Sequence, residues 1–304
     1  MPRPKRDFLR LTDVTREELL ALLERAAEWK LLGKGGPRPL EGMTIGLVFE
    51  KASTRTRVSF QVGAFQLGSE SLMLSPRDMQ LGRGEPIKDT ARVLSRYLDA
   101  LVVRTFEHAK IEEMALHATV PVVNALTDAS HPCQLLADLL TIAERFGADA
   151  LHRADFEVAW VGDGNNMANS WLEAASLLGF GLRLACPEGY DPDAALLARA
   201  GARARLVRQP RDAVRGAQVV NTDVWASMGQ EGEAEERKRR FAGFIVNRAL
   251  LALADPRAVV LHCLPAHRGE EIAEDVLEGP QSAVFDEAEN RLHAQKALLE
   301  LLLA

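Results

Sequence analysis

A chain of 304 residues with 43 acidic and 37 basic side chains has a formal charge of −6, which argues against nucleic acid or a membrane surface as its main partner. Its hydrophobic content of 47% and charged content of 26% suit a soluble globular protein, and its length exceeds what one core usually supports, so two domains are expected. Three scattered cysteines exclude a disulfide framework; with no apolar signal core and no apolar run of membrane-spanning length, they point to the cytoplasm.

The first helix announces itself at Thr15, which can cap, with Glu18 completing a capping box and Val14 and Leu19 forming a hydrophobic staple. It should run to about residue 32 and stop at Gly33. Residues 44–49 read as a buried parallel strand, and the apolar residues of 58–65 recur at helical spacing. Between them stands Ser53-Thr54-Arg55-Thr56-Arg57. A strand-to-helix turn exposes backbone N–H groups and the positive end of the helix dipole. Hydroxyls add short donors and arginine adds a fork that matches phosphate, so the turn reads as a phosphate site. The bland alternative is a plain cap with solvated arginines. It is not the nucleotide-hydrolysing loop, which ends in Gly-Lys-Ser/Thr.

A short strand at 71–74 leads into a polar loop at 75–86, punctuated by Gly and Pro and either functional or a plain connection. A helix from Asp89 to Leu98 and a strand at 100–103 follow, placing Arg104 and Thr105 at a strand's carboxyl end, where open parallel sheets bind ligands. Residues 121–124 read as the next strand. In Ser130-His131-Pro132-Cys133-Gln134 the proline suits a first helical position, leaving His131 in the cap and Gln134 in the first turn. Both could polarise a carbonyl and hold an amide, although a capping histidine is commonly mundane.

The helix should end at Gly147, with 148–154 a passage between domains. Strands at 156–162, 181–186, 219–222 and 258–261 then alternate with helices, so the second half is doubly wound as well. Gly162-Asp163-Gly164, with Glu188 as a ribose acid, tempts toward dinucleotide binding. Met167 occupies the third glycine's place, however, and Asn165 and Asn166 suit a small polar ligand or a turn. Asp223-Val224-Trp225-Ala226-Ser227-Met228-Gly229 combines an acid, a hydroxyl and a glycine hinge in what reads as a mobile ligand loop. Glu233 with Arg237, Glu235 with Arg239 and Glu236 with Arg240 are spaced for a solvated helix. The thiol of His262-Cys263-Leu264-Pro265 could be a nucleophile, a metal ligand or a proton acceptor. No second Cys/His pair stands at finger spacing, so neither metal nor cofactor is expected. Residues 287–291 should open a terminal helix with a leucine-rich face.

Residues 53–57, 131–134, 223–229 and 262–265, in this order and spacing, resemble the aspartate/ornithine carbamoyltransferase family, specifically its ornithine branch. The resemblance covers nearly the whole chain. It implies an α/β fold of two doubly wound parallel-sheet domains with the active site in the cleft between them. The implied division is residues 1–146 for carbamoyl phosphate, 147–290 for ornithine, and a C-terminal helix at 291–304 packing back on the first domain. It implies transfer of a carbamoyl group from carbamoyl phosphate to the δ-amino group of L-ornithine, giving L-citrulline and phosphate, in arginine metabolism and on its biosynthetic side.

By motif match, Ser53, Thr54, Arg55 and Thr56 should take the phosphate, while Arg104, His131 and Gln134 hold the carbamoyl group and Arg291 adds a contact. Asn166, Asp223, Ser227 and Met228 match ornithine contacts, and Cys263 with Leu264, which together with Gln80 also count among the carbamoyl-phosphate contacts, should close the site beside the reacting amine. The catalytic set is then Cys263, Arg104, His131 and Arg55. Gln80 matches a residue that reaches a neighbouring subunit's site, implying a homotrimer or a multiple of one, and Leu264–Pro265 should be cis. Cys133 is expected only to pack. The rivals are a sister transferase using aspartate, putrescine or acylated ornithine, and a nicotinamide oxidoreductase or non-catalytic nucleotide-binding module resting on Gly162-Asp163-Gly164 alone.

Overall fold

Thr15 opens the chain's first helix as its side chains dictate. Its hydroxyl accepts from the Glu18 N–H at 3.2 Å while the Glu18 carboxylate takes the Thr15 N–H at 2.9 Å, satisfying two groups that a helix start leaves without partners. The computed structural model describes residues 5–75, 84–226 and 231–304. These residues group into two units, 1–140 with 289–304 and 141–288. Among them no helix is long and apolar enough to cross a membrane.

The first unit carries helices α1 (Arg16–Leu32), α2 (Thr54–Gln66), α3 (Ile87–Leu94) and α4 (His108–His117), and the start of α5 (Pro132–Phe146). Its strands β1 (Thr44–Phe49), β2 (Glu70–Leu74), β3 (Ala100–Arg104) and β4 (Val122–Leu126) are all parallel, in the order β2-β1-β3-β4. After β2 the chain crosses to the far side of β1, so the order switches between β1 and β3. Ligand crevices of open sheets lie at such a switch, outside the carboxyl ends. Phe49 pairs in register with Arg104, so the turn carrying Ser53 and the guanidinium of Arg104 leave the sheet at the same rim.

The second unit contains α6 (Asn166–Leu178), α7 (Ala194–Ala200), α8 (Pro210–Val214), α9 (Ala234–Arg240), α10 (Arg248–Leu251), α11 (Glu274–Leu277) and the start of α12 (Val284–Leu303). Strands β5 (Glu157–Val161), β6 (Gly181–Ala185), β7 (Ala204–Val207), β8 (Val219–Thr222) and β9 (Val259–His262) form a parallel sheet ordered β7-β6-β5-β8-β9. Its switch lies between β5 and β8, whose carboxyl ends lead into Asn165 and Asp223. Two doubly wound parallel sheets are therefore present, as the alternation of strand and helix predicts.

The C-terminal part of α12 is tied to α1 within the first unit. Glu300 accepts from the Trp29 indole and from Arg25 Nε, each at 2.7 Å, and the buried Lys296 ammonium stands 4.4 Å from the Trp29 ring centre. Burial pushes the Glu300 carboxyl up, but the bonds from Arg25 and Trp29 hold it below its usual range. This anchorage presents Arg291, two turns earlier, to the carboxyl rim of the first sheet.

Candidate active site

The first sheet's site is built on the cap of α2. Ser53 has an extended backbone (φ −160°) and its hydroxyl accepts from the Thr56 N–H at 3.2 Å, which turns Thr56 inward until its side chain is buried. The Thr56 hydroxyl then accepts from two arginines, Arg291 Nη2 at 2.7 Å and Arg104 Nη1 at 3.4 Å. A second arm of Arg291 donates to the Gln134 carbonyl, and the Gln134 amide donates to Asp138 at 2.8 Å. His131 stands where the sequence places it: its carbonyl accepts from the N–H groups of Gln134 and Leu135, at 3.1 and 3.3 Å. Burial, reinforced by Arg291, Arg104 and Arg55, holds its imidazole well below the usual histidine range. His131 is therefore neutral at physiological pH, a hydrogen-bond donor rather than a cation.

Ser53, Thr56, Arg104, His131, Gln134 and Arg291 are thus brought together. Arg55 is half-buried and Thr54 exposed in the first turn of α2. Two buried guanidiniums, a helix start and a neutral imidazole offer the kind of donors that an anion joined to a carbonyl would need. Cys133 donates to the Asn124 carbonyl at 3.2 Å and burial pushes its thiol up to about 12, so it packs and stays protonated.

The second sheet's site centres on Asp223, directly after β8. One carboxylate oxygen accepts from the Val224 N–H at 2.8 Å and from the Cys263 thiol at 3.1 Å; the other accepts from the Asn165 amide at 3.2 Å. Cys263 is held by the turn around it. The Leu264 N–H donates to His262 Nδ1 at 2.9 Å, so the ring proton sits on Nε2, 3.1 Å from the Glu271 carboxylate. Leu264 has φ +57°, in the left-handed region that side chains rarely adopt, and Leu264–Pro265 is cis. Asp223, His262 and Cys263 approach closely enough to suggest a metal site, but both His262 nitrogens are engaged, leaving two donors where a site needs at least three.

Asn165 and Asn166 begin α6 at the same rim. The glycines before them serve the chain's own packing: a Cβ on Gly164 would lie 2.2 Å from the Pro192 nitrogen and 2.6 Å from the Tyr190 carbonyl oxygen. That crowding, rather than room for a pyrophosphate, explains Gly164. Gln80, Ser227 and Met228, with the hinge at Gly229, lie outside the described residues.

The carbamoyl-P binding domain of aspartate/ornithine carbamoyltransferases matches residues 6–144, and the Asp/Orn binding domain matches residues 154–302. The chain belongs to the aspartate/ornithine carbamoyltransferase family. Ornithine carbamoyltransferase of Pelobacter propionicus is 54% identical over 98% of each chain. The anabolic ornithine carbamoyltransferase of Pseudomonas aeruginosa is 56% identical over 98% of this chain and 97% of its own. Among solved structures, ornithine carbamoyltransferase from Pyrococcus furiosus superposes with a TM-score of 0.93 at 50% identity, covering 98% of this chain and 97% of that one.

Three polar residues of this carbamoyltransferase escape a motif search. Asp138 lies one turn beyond Gln134 and is buried; its spacing of four is visible in sequence, but its burial is not. Glu271 reads as one of many surface acids until His262 is seen against it. Arg237 differs from expectation. Its pair with Glu233 forms at 3.1 Å, yet the side chain is buried, donating to Asp163 at 2.7 Å and to the Trp225 carbonyl at 2.8 Å over the Tyr190 ring. A helix rich in i,i+4 charges looks solvated throughout, and nothing local marks the one arginine facing inward.

Proposed function

We propose that the chain transfers the carbamoyl group of carbamoyl phosphate to the δ-amino group of L-ornithine, producing L-citrulline and phosphate. The observation that carries this is the pair of buried arginines meeting on the Thr56 hydroxyl beside a neutral His131. The phosphate would rest on Ser53, Thr54, Arg55 and Thr56. Arg104, His131, Gln134 and Arg291 would hold the carbamoyl group. Ornithine would be held by Asn166, Asp223, Ser227 and Met228. Its side-chain ammonium, of pKa near 10 like that of lysine, must shed a proton before it attacks. The Cys263 sulfur would accept that proton once its own thiol proton has passed along the hydrogen bond to the Asp223 carboxylate. The amine nitrogen bonds the carbamoyl carbon, the tetrahedral oxyanion is met by Thr56, Arg104 and His131, and the carbon–oxygen bond to phosphate then breaks as the nitrogen's second proton passes to the departing phosphate.

An aspartate substrate would bring two carboxylates and need extra cations, whereas Asp223 supplies an anion suited to an amino group. A homotrimer, with Gln80 reaching a neighbour's site, is supported by the family and by an apolar stripe at Val58, Val62 and Phe65, exposed by 51%, 36% and 74%. Three free cysteines suit the cytoplasm. A biosynthetic role is supported by the relative named anabolic. Citrulline formation assayed in parallel with ornithine, aspartate and putrescine tests the proposal: ornithine alone should give a carbamoylated product at high rate, and preference for either other amine would refute it.

A further inference from the structure

We propose that Asn165 is a positioning residue that fixes the Asp223 carboxylate for ornithine; this rests on the carbamoyl-transfer reading. Asn165 is the cap of α6. Its side-chain oxygen accepts from the N–H groups of Met167 at 2.9 Å and Ala168 at 3.3 Å. Two backbone donors on one oxygen decide which end of the amide is which, a choice that is otherwise ambiguous. The amide nitrogen must therefore face the other way, and it lies 3.2 Å from Asp223 Oδ2. Flipping the amide would forfeit all three bonds, so the first turn of α6 acts through Asn165 as a rigid strut against Asp223.

Capping alone does not explain this residue. Aspartate caps as well as asparagine and adds a favourable charge at the helix start. What aspartate cannot do is donate. At position 165 it would set a second carboxylate against Asp223, whose other oxygen already receives the Val224 N–H and the Cys263 thiol. Other titratable groups face the same place: the His262 ring, grouped with Asp223 and Cys263, and Asp163, whose carboxyl feels the Asp223 charge and is paired with Arg237. Two apposed carboxylates cannot both ionise readily, so one holds its proton to higher pH.

The test compares the full chain with Asn165→Asp and Asn165→Ser by citrulline kinetics across pH, alongside thermal unfolding. Both variants keep a capping oxygen, so melting should stay within a few degrees of the parent. Asn165→Asp should lose about 10²-fold in kcat/KM for ornithine, with the acid limb of its pH profile moved about one unit higher. Asn165→Ser, lacking the donor but adding no charge, should lose about tenfold without that shift. KM for carbamoyl phosphate should stay within threefold for both. Asn165→Asp with parental ornithine kinetics and pH profile would overturn the proposal, as would equal loss toward both substrates. A parent enzyme forming no citrulline would instead sink the underlying reading, and the inference with it.

Discussion

Arg291 Nη2 and the Thr56 hydroxyl lie 2.7 Å apart although 235 residues separate them in sequence. The contact closes the C-terminal helix onto the cap of α2, and Arg104 joins it from β3. Three separate segments thus share one buried hydroxyl.

Replacing Thr56 by valine keeps shape and helix geometry while removing that acceptor. The prediction is a fall in turnover of ~10²–10³-fold, the usual loss for one donor in a preorganised anion site. Destabilisation of about 1–3 kcal/mol should accompany it, because two buried guanidiniums lose a partner. Thr56→Ser should retain most activity. Steady-state kinetics and urea unfolding of both variants check this, and a valine variant as active as the serine one would contradict it.

His131 links stability to pH. In the folded chain burial and three arginines hold its pKa well below the ordinary value, while the unfolded chain titrates near 6.5. Below about pH 6.5 the unfolded state binds a proton that the folded state refuses, so stability falls as pH drops, by up to ~1.4 kcal/mol per unit for this group. Burial lowers His108 and His293 as well, so they share the slope. Urea midpoints at pH 8 and pH 5.5 should therefore differ less in His131→Asn than in the parent. Equal differences would show that His131 is not held neutral.

Cys263 donates to Asp223 at 3.1 Å, and its proposed work chiefly concerns the amine. Cys263→Ala should lower kcat/KM for ornithine by roughly 10²-fold and shift its pH profile, the scale expected for a proton-transfer group. KM for carbamoyl phosphate should hold. An unchanged ornithine KM and pH optimum would remove Cys263 from the reaction.

Much of this was legible in the chain because the signals were local. The capping box at Thr15 needs only Thr15 and Glu18, and the rim positions of Arg104 and Asp223 follow from buried strands of apolar residues. What escaped depended on distant partners or weak periodicity. Strand β7 is an edge of four residues, none of them buried, so it lacks the buried apolar run that marks a central strand such as β5. Helix α4 mixes Glu112, Glu113 and His117 with its buried Ile111 and Met114, which blurs its stripe. Helix α12 starts at Val284, earlier than residues 287–291 suggest. The Asp138, Asn165 and Glu271 contacts come from side chains whose roles depend on what folding sets against them.

Arg237 makes the same point energetically. Burial pushes the Asp163 carboxyl up while Arg237 pulls against it, so the pair is mutually dependent. Arg237→Ala should cost about 3–5 kcal/mol by leaving Asp163 buried without its cation. Adding Asp163→Asn to that variant should recover part of the loss, since contacting residues are not additive. Urea unfolding of the three variants measures the coupling; simple additivity would mean the two side chains act independently.

The most direct measurement is a crystal structure of the chain with a bisubstrate analogue that joins a phosphonate to ornithine. The phosphonate should lie on the α2 cap, held by the N–H groups and hydroxyls of residues 53–56 and by Arg55, with the ornithine end against Asn166 and Asp223. A phosphonate bound anywhere else, such as on the turn at residues 162–165, would contradict the account.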